Sequence, residues 1–398
     1  MNAPALQPAK RILSIDILRG AVMLIMAIDH VRDYFHVHGW DQNPTDMATT
    51  TPFLFFTRWI THFCAPVFVF LSGTSAFIAG QKKSKKELSI FLIKRGFWLV
   101  LVEVVIMTLG ITFNPLYNVI IWQVIWAIGW SMIILGLLVR TSVTTIAVIG
   151  FIIVFGHNIL DYTPQPAPET TADFFMRVFL TAQFTIYHTG ENRIILDIYA
   201  ILPWTGAMLL GYAFGTLYKK TFDAAKRRKI ILQMGLAVTA LFIILRFINQ
   251  YGDPAHWSQQ KNGVYTFLSF LNTTKYPCSL LYLCMTLGPA LIILSLIENA
   301  QSKFSRILIT YGRVPFFYYV IHFYLIHALC VIFFFASGCT ASEIIDRNTP
   351  FLFRPEHFGF DLWVVYAVWL FVIIVLYKPC KWFQRYKETH NQWWLSYV

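Results

Sequence analysis

Apolar stretches of about 20 residues recur along most of this 398-residue chain. Each stretch is long enough to cross a hydrocarbon layer of roughly 30 Å as a helix. Inside such a layer every backbone polar group needs an internal partner, which restricts the structure to helices and closed barrels. Charged residues make up only 13% of the chain, against about 25% in soluble domains. The sequence therefore predicts an all-α, polytopic integral membrane protein.

We expect about ten membrane-spanning helices. Their expected limits are 12–33, 53–80, 90–113, 118–139, 143–160, 196–217, 230–249, 278–298, 308–336 and 362–377. The first stretch carries ionisable residues and is not followed by a cleavage site of small residues, which indicates a retained helix rather than a signal peptide. No internal repeat or soluble domain is visible, so residues 1–398 are predicted to form a single membrane domain.

Lysine and arginine are distributed unevenly over the expected loops. One side holds Lys10, Arg11 and the clusters "QKKSKKELSIFLIKR" and "KKTFDAAKRRK", whereas the opposite side holds few basic residues, among them Arg347. By the positive-inside rule, both termini are expected in the cytoplasm and the protein in the cell (inner) membrane. The net charge of +12 arises from the inner loops, which indicates contact with anionic lipid headgroups of the bilayer and no role in nucleic-acid binding.

Four ionisable residues lie within the first expected span, "IDILRGAVMLIMAIDH": Asp16, Arg19, Asp29 and His30. Ionisable groups inside a membrane are costly and usually mark a functional pathway. Arg19 and His30 are 11 residues apart, so they share one helix face but lie roughly 16 Å from each other. We expect them to mark the two ends of a buried polar track, with Arg19 nearer the cytoplasm. Alternatively, Asp16 and Arg19 form a structural ion pair at i,i+3 spacing.

Further ionisable residues collect on the expected outer side. The loop after the first span contains His36 and His38, and His62 lies in the outer part of the second span. Lys275 lies at the outer mouth of the eighth span, and His322 lies in the ninth. Because histidine changes its protonation most easily near neutral pH, such a cluster predicts general acid–base chemistry or proton coupling.

The sequence gives no prediction of a metal site. A zinc site needs three or four converging ligands, and the chain has neither a paired cysteine spacing nor a helical pair of histidines separated by three residues. Cys278 and Cys339 are both expected on the outer side, where they either form a disulfide or are ordinary apolar cysteines. A phosphate-binding glycine loop and a nucleophile elbow are also absent from the sequence.

The stretch "RILSIDILRGAVMLIMAIDH" resembles the first span of the membrane acyltransferase superfamily. Within that superfamily, "SIDILRG", "HVHGW" and "APVFVFLSG" resemble motifs of heparan-alpha-glucosaminide N-acetyltransferase and its bacterial relatives of unassigned function, and "GRVPFFYYVIHFYLIH" resembles a later stretch of those relatives. The resemblance is strongest over residues 10–135. It implies transfer of an acyl group, with acetyl expected, from acetyl-CoA or another acyl-CoA to a sugar amine or hydroxyl at the outer side. It implies no permanently bound cofactor.

The resemblance leaves the catalytic histidine open. In relatives that acylate surface sugars, an arginine of the first helix is followed, after ten intervening residues, by a histidine regarded as catalytic. Arg19 and His30 match this spacing, and Asp29 is then expected to orient His30 as the general base. In the heparan enzyme the position of His30 resembles an asparagine that works with a loop histidine, which implies His38 or His36 instead.

The remaining candidates have expected roles in binding substrate or donor: Arg19, Asp16, His62, Lys275 and His322. Arginine suits bidentate contact with phosphate, so Arg19 is expected to bind coenzyme A. A proton-coupled transporter or flippase would also place His, Asp and Arg inside the membrane, and a scaffold would pair these groups without a cavity. The sequence leaves open the glycan acceptor, the acyl chain length and whether the protein forms a homo-oligomer.

Overall fold

The computed structural model describes residues 12–182, 184–346 and 349–397. Lys10, Arg11 and Arg347, which entered the orientation prediction, lie outside these ranges. The described helices are α1 (Leu13–Phe35), α2 (Pro52–Thr61), α3 (Cys64–Gly80), α4 (Lys85–Val102), α5 (Thr108–Thr112), α6 (Val124–Leu138), α7 (Val143–Gly156), α8 (Thr171–Met176), α9 (Ile201–Phe214), α10 (Ala224–Ile248), α11 (Gly263–Leu271), α12 (Leu280–Leu296), α13 (Lys303–Arg313), α14 (Pro315–Ala336) and α15 (Leu362–Thr389).

Several helical segments are suited to a membrane by length and composition. Those in the described chain that are both long and apolar enough to cross one are Pro52–Gly80, Val143–Tyr162, Ala224–Ile248, Pro315–Ala336 and Leu362–Thr389. Shorter apolar helices are Val124–Leu138 and Leu280–Leu296. The chain is thus a largely helical membrane protein, which agrees with the predicted fold class.

A small three-stranded sheet departs from the purely helical prediction. It is formed by β1 (Val119–Trp122), β2 (Thr185–Gly190) and β3 (Arg193–Asp197), in the order β1-β3-β2. β1 pairs parallel with β3, and β2 pairs antiparallel with β3. The expected spans 118–139 and 196–217 are therefore wrong at their first residues. These residues are mostly β-branched or aromatic, and such residues favour a strand where a partner strand is available.

The second expected span is divided into two helices. α2 ends at Thr61 and α3 begins at Cys64. Pro66 has no backbone N–H and its ring crowds the carbonyl four residues earlier, which is that of His62. The Tyr282 hydroxyl donates a hydrogen bond to this carbonyl at 2.8 Å. The break is therefore stabilised by a contact from α12.

The ninth expected span, 308–336, is also divided. α13 ends at Arg313 and α14 begins at Pro315. The residue before a proline is disfavoured in the helical region, and Val314 has a φ of −130° and a ψ of 46°. The chain therefore changes direction between α13 and α14, and α14 packs alongside α1.

Close helix crossings hold the bundle together at glycines. A Cβ on Gly73 of α3 would lie 2.0 Å from the Met208 carbonyl oxygen, and a Cβ on Gly211 of α9 would lie 2.0 Å from that of Phe70. Small residues let helix backbones approach this closely in membrane proteins. α3 is consequently fixed against α9 on one side while its other face meets α1.

Candidate functional site

A cavity lies between α1, the α2–α3 break, α4, α6 and α14, and we call it the central cavity. It has a volume of about 120 Å³. Its lining includes Met23 and His30 of α1, Arg95 of α4 and Tyr319 of α14. Met23 and His30 are separated by two helical turns, so the cavity follows α1 for roughly 10 Å.

His30 and His322 form a pair of imidazoles at the central cavity. His30 is half-buried and lines the cavity, and its ring centroid lies 5.3 Å from that of His322, which is fully buried. His322 Nδ1 lies 2.6 Å from the carbonyl oxygen of Tyr319. A carbonyl only accepts hydrogen bonds, so Nδ1 carries the proton. The Nε2 atom has no hydrogen-bond partner in the described chain, which leaves a buried lone pair that can accept a proton.

Asp29, the other candidate at this end of α1, is engaged by two arginines. Its carboxylate forms an ion pair with Arg58 of α2 and lies 3.2 Å from the Arg32 guanidinium. Arg32 also lies 2.6 Å from the Asp33 carboxylate. Asp29 lines the central cavity, but its charge mainly balances that of the arginines. The orientation of His30 by Asp29 stays a prediction, whereas the contacts of Asp29 with both arginines give it a structural role.

Lys275 enters the central cavity from the segment between α11 and α12. Its ammonium group lies 5.9 Å from the ring centroid of Tyr199 and 5.0 Å from that of Tyr276. The buried Asp253 carboxylate accepts hydrogen bonds from the Thr274 backbone N–H and hydroxyl, both at 2.8 Å. Asp253 thereby holds the residue before Lys275 in place, and Lys275 adds a positive charge beside Asp29 and His30.

His62 lies behind the cavity wall. It is buried at the α2–α3 break, and its neighbours Thr61 and Cys64 line the central cavity. Its ring centroid lies 5.4 Å from that of Tyr282, and its Nδ1 has no hydrogen-bond partner among the described residues. His62 is thus next to residues that line the cavity without lining it itself.

His36 and His38 lie in the loop after α1 and do not line the central cavity. His38 is exposed, with Nδ1 2.9 Å from the Asp41 carboxylate. His36 is buried, and its Nδ1 accepts the backbone N–H of His38 at 3.1 Å. Burial lowers the pKa of His36, which agrees with a neutral ring that accepts this bond. The structure therefore separates the two alternative sites: His30 at the cavity and the histidines of the loop.

Arg19 and Asp16 are engaged with each other and with neighbouring helices. Their side chains are 3.4 Å apart, as expected for an i,i+3 pair. Arg19 donates to the Ser75 hydroxyl at 2.8 Å and to the Gly312 carbonyl at 3.2 Å. Neither Arg19 nor Asp16 is among the residues that line the central cavity. The polar track from Arg19 to His30 is thus interrupted by the packing of α3 and α13 on α1.

Arg95 and Glu103 are site residues that the sequence reasoning missed. Arg95 lines the central cavity, its Nε has no hydrogen-bond partner in the described chain, and it is close enough to Arg19 for their charges to repel. Glu103 is fully buried where α4 continues as a π-helical turn, and it accepts the backbone N–H of Gln123, a cavity residue, at 3.2 Å. The available signal was an ionisable residue inside an apolar span, the same signal that singled out α1.

The sequence was compared with models of protein families and with curated proteins. A family model described as "Heparan-alpha-glucosaminide N-acetyltransferase, catalytic" matches residues 11–247, which is more than half of the chain. A comparison with curated proteins finds no match. The matched range contains His30, Asp29 and Arg95, whereas Lys275 and His322 follow it. The resemblance deduced from the motifs is confirmed, and the chain belongs to the family of heparan-alpha-glucosaminide N-acetyltransferase catalytic domains.

Proposed function

We propose that the protein is an integral membrane acyltransferase that moves an acyl group, with acetyl expected, from coenzyme A to a sugar amine or hydroxyl. The observation that carries this proposal is the pair of imidazoles at the central cavity, in which His30 lines the cavity and His322 presents an unprotonated Nε2 behind it. Family membership supports the same class of reaction. The cavity favours an acyltransferase over a non-catalytic scaffold, because in a scaffold the polar groups would pair with each other and leave no cavity.

The chemistry requires one base and one acid. The acceptor nitrogen or oxygen attacks the thioester carbonyl carbon, and His30 removes the proton of the attacking group. The carbon–sulfur bond then breaks, and the coenzyme A thiolate leaves and takes up the proton from His30. A positioned base of this kind typically contributes about 10²–10⁴-fold to the rate. His322 stabilises the protonated His30 because its Nε2 lone pair is available nearby. Transfer through an acyl-histidine would use the same pair of residues.

The donor end of the cavity is assigned to Arg95. This guanidinium lines the central cavity and its Nε is unpartnered within the described chain, whereas Arg19 is held by Asp16 and Ser75. Arginine binds phosphate through paired, charge-assisted hydrogen bonds. Arg95 is therefore favoured over Arg19 for contact with the coenzyme A phosphates, and the nearby charge of Arg19 adds to the attraction for an anion at this end.

The proposed topology has ten spans and cytoplasmic termini, in the cell membrane. The ten helical segments that support it are α1, α2 with α3, α4 with α5, α6, α7, α9, α10, α12, α14 and α15. The basic clusters before α4 and at the start of α10 favour the cytoplasm for their loops. In this orientation Arg95 lies nearer the cytoplasmic pool of acyl-CoA and His30 nearer the outer side.

The first test is transfer of labelled acetyl from coenzyme A to a panel of amino and hydroxyl sugars in membrane vesicles. Neither acetyl-CoA nor a polar sugar crosses a bilayer, so the sugars are enclosed in the vesicles and acetyl-CoA is added outside. We expect transfer in inside-out vesicles and little transfer in right-side-out vesicles. Vesicles without the protein are the control. Labelled product only in right-side-out vesicles would contradict the orientation. Uptake of a solute driven by a proton gradient, with no acetyl transfer to any sugar, would favour the transporter.

Arg95→Gln is expected to raise the KM for acyl-CoA roughly 10–100-fold with a smaller effect on kcat, because a hydrogen bond to a charged group contributes about 1.5–3 kcal/mol. The matched control is Lys94→Gln, which changes the exposed neighbour on the same helix. Both KM values are measured in inside-out vesicles. If Arg95→Gln has a normal KM and Arg19→Ala has a raised KM, then Arg19, and not Arg95, binds the phosphates.

A further inference from the structure

A second cavity, which shares no lining residue with the central cavity, lies in the loop that joins α14 to α15. It has a volume of about 280 Å³ and is lined by residues from two parts of this loop, 337–343 and 357–359. Among the lining residues are Cys339, Glu343 and His357. Neither the proposed reaction nor the family motifs use these three residues.

The three side chains converge. One ligand atom from each, the thiol sulfur, a carboxylate oxygen and an imidazole nitrogen, lies within 4.8 Å of the other two. His357 Nε2 is 3.3 Å from Glu343 Oε1. In a tetrahedral zinc site with metal–ligand distances of about 2.0–2.3 Å, neighbouring ligand atoms are roughly 3.3–3.6 Å apart. The His357–Glu343 pair already has this spacing, and the Cys339 sulfur lies within 4.8 Å of both ligand atoms.

The carboxylate is oriented by its own loop. Glu343 Oε2 accepts the backbone N–H and the hydroxyl of Thr340, both at 2.8 Å. These two bonds turn the other oxygen, Oε1, towards His357. Cys339 is a free thiol, and it is the one cysteine of the six that is not buried. A disulfide with Cys278 is not formed, because Cys278 is buried elsewhere with its thiol free.

We propose that Cys339, Glu343 and His357 bind a divalent transition-metal ion, with zinc favoured. Thiolate, imidazole and carboxylate are the ligand types that zinc prefers, and three protein ligands leave one position open for water. The adjoining cavity has room for that water. This inference does not depend on the proposed acyl transfer. It departs from the sequence prediction of no metal site, which rested on the spacing of cysteines and histidines along the chain and could not show that these three residues converge.

The metal would join the end of α14 to a segment that packs on the loop after α1. The Phe360 backbone N–H donates to the Phe35 carbonyl at 2.7 Å, and the Val37 N–H donates to the Phe360 carbonyl at 3.0 Å. The buried Arg354 guanidinium donates to the His36 carbonyl at 2.7 Å. A metal bound to His357 would therefore restrain the segment 354–360, which contacts His36. It would also hold this segment against the C-terminal end of α1.

The test uses the full, untagged protein in detergent after treatment with a chelator. We expect one Zn²⁺ per chain in a titration against a chromophoric chelator, and Co²⁺ should give the charge-transfer absorption of a cobalt–thiolate bond. Cys339→Ser should abolish that absorption. Cys339→Ser and His357→Ala should each weaken Zn²⁺ binding by more than the roughly 10–100-fold typical of losing an outer partner of a metal ligand.

The matched control is His188→Ala, which removes an exposed histidine on β2 and should leave Zn²⁺ binding unchanged. Zn²⁺ should also slow proteolytic cleavage within residues 337–361 of the wild type but not of His357→Ala. Co²⁺ binding without a thiolate band, or Zn²⁺ binding that is unchanged in both ligand variants, would overturn the proposal. Because no step measures acetyl transfer, its failure is independent of the proposed function.

Discussion

His30→Ala is expected to lower acyl transfer by about 10²–10⁴-fold, the range that a positioned general base contributes, while folding and acyl-CoA binding are retained. His30 is the imidazole that lines the central cavity among the described residues. His322→Asn should lose activity as well, because asparagine keeps a donor for the Tyr319 carbonyl and lacks the Nε2 position. The measurement is labelled acetyl transfer in inside-out vesicles as a function of pH.

A structural role for His322 would be seen in a different readout. If His322 acts through His30, His322→Asn should shift the pH profile of the remaining activity as well as lower kcat. The matched control is His327→Gln on the same helix, since His327 Nε2 lies 2.8 Å from the Leu352 carbonyl and glutamine preserves a donor there. An unshifted profile with equal loss in both variants would mean that His322 only packs.

The loop alternative makes the opposite prediction. If the loop supplies the base, His38→Ala or His36→Ala should be inactive and His30→Ala only impaired. If His30 and a loop histidine share the task, each single variant is inactive and the double variant is no worse, because residues that act as a unit are strongly non-additive. If His30→Ala transfers acetyl at the normal rate, His30 has no role in the mechanism.

Arg58→Met is expected to cost about 3–5 kcal/mol in the free energy of unfolding, because removing one partner of a buried ion pair leaves an uncompensated charge. Arg58 pairs with Asp29, whose remaining partner, Arg32, also serves Asp33. Asp29→Asn should be similarly costly, since both arginines then lose a counter-charge. The double variant should recover part of the loss, since it restores neutrality. Denaturant unfolding in detergent gives the comparison.

The control for this prediction is a more exposed ion pair. Arg177 and Asp173 are 2.7 Å apart at i,i+4 spacing, and the Arg177 side chain is 33% exposed. The Asp173 side chain is 10% exposed, as is that of Asp29, but the Arg177 side chain is more exposed than that of Arg58, at 14%. Water screens the Arg177 charge more strongly, so Arg177→Met should cost less than Arg58→Met. A double variant Asp29→Asn/Arg58→Met that is as unstable as the sum of the singles would show that the pair does not act as a unit.

The sequence alone determined the class of protein and the family. The thickness of a bilayer sets the length of an apolar span, and the cost of charge in hydrocarbon makes each intramembrane Asp, Arg or His conspicuous. These rules act within one segment, so α1 and its ionisable residues were identified without a structure. The spans 53–80 and 308–336 were expected to be continuous, although Pro66 and Pro315 restrict the backbone at the two breaks.

Tertiary structure decided which of these residues meet. His30 and His322 lie 292 residues apart in the chain, and their proximity follows from the packing of α14 on α1. Helical periodicity shows which residues share a face of one helix, but the neighbour of that face depends on side chains of other helices. For this reason the sequence analysis assigned the phosphate contact to Arg19, whereas in the folded protein Arg95 is the arginine that lines the central cavity. The strand β1 arose in the same way, because a strand needs a partner that only the folded chain supplies.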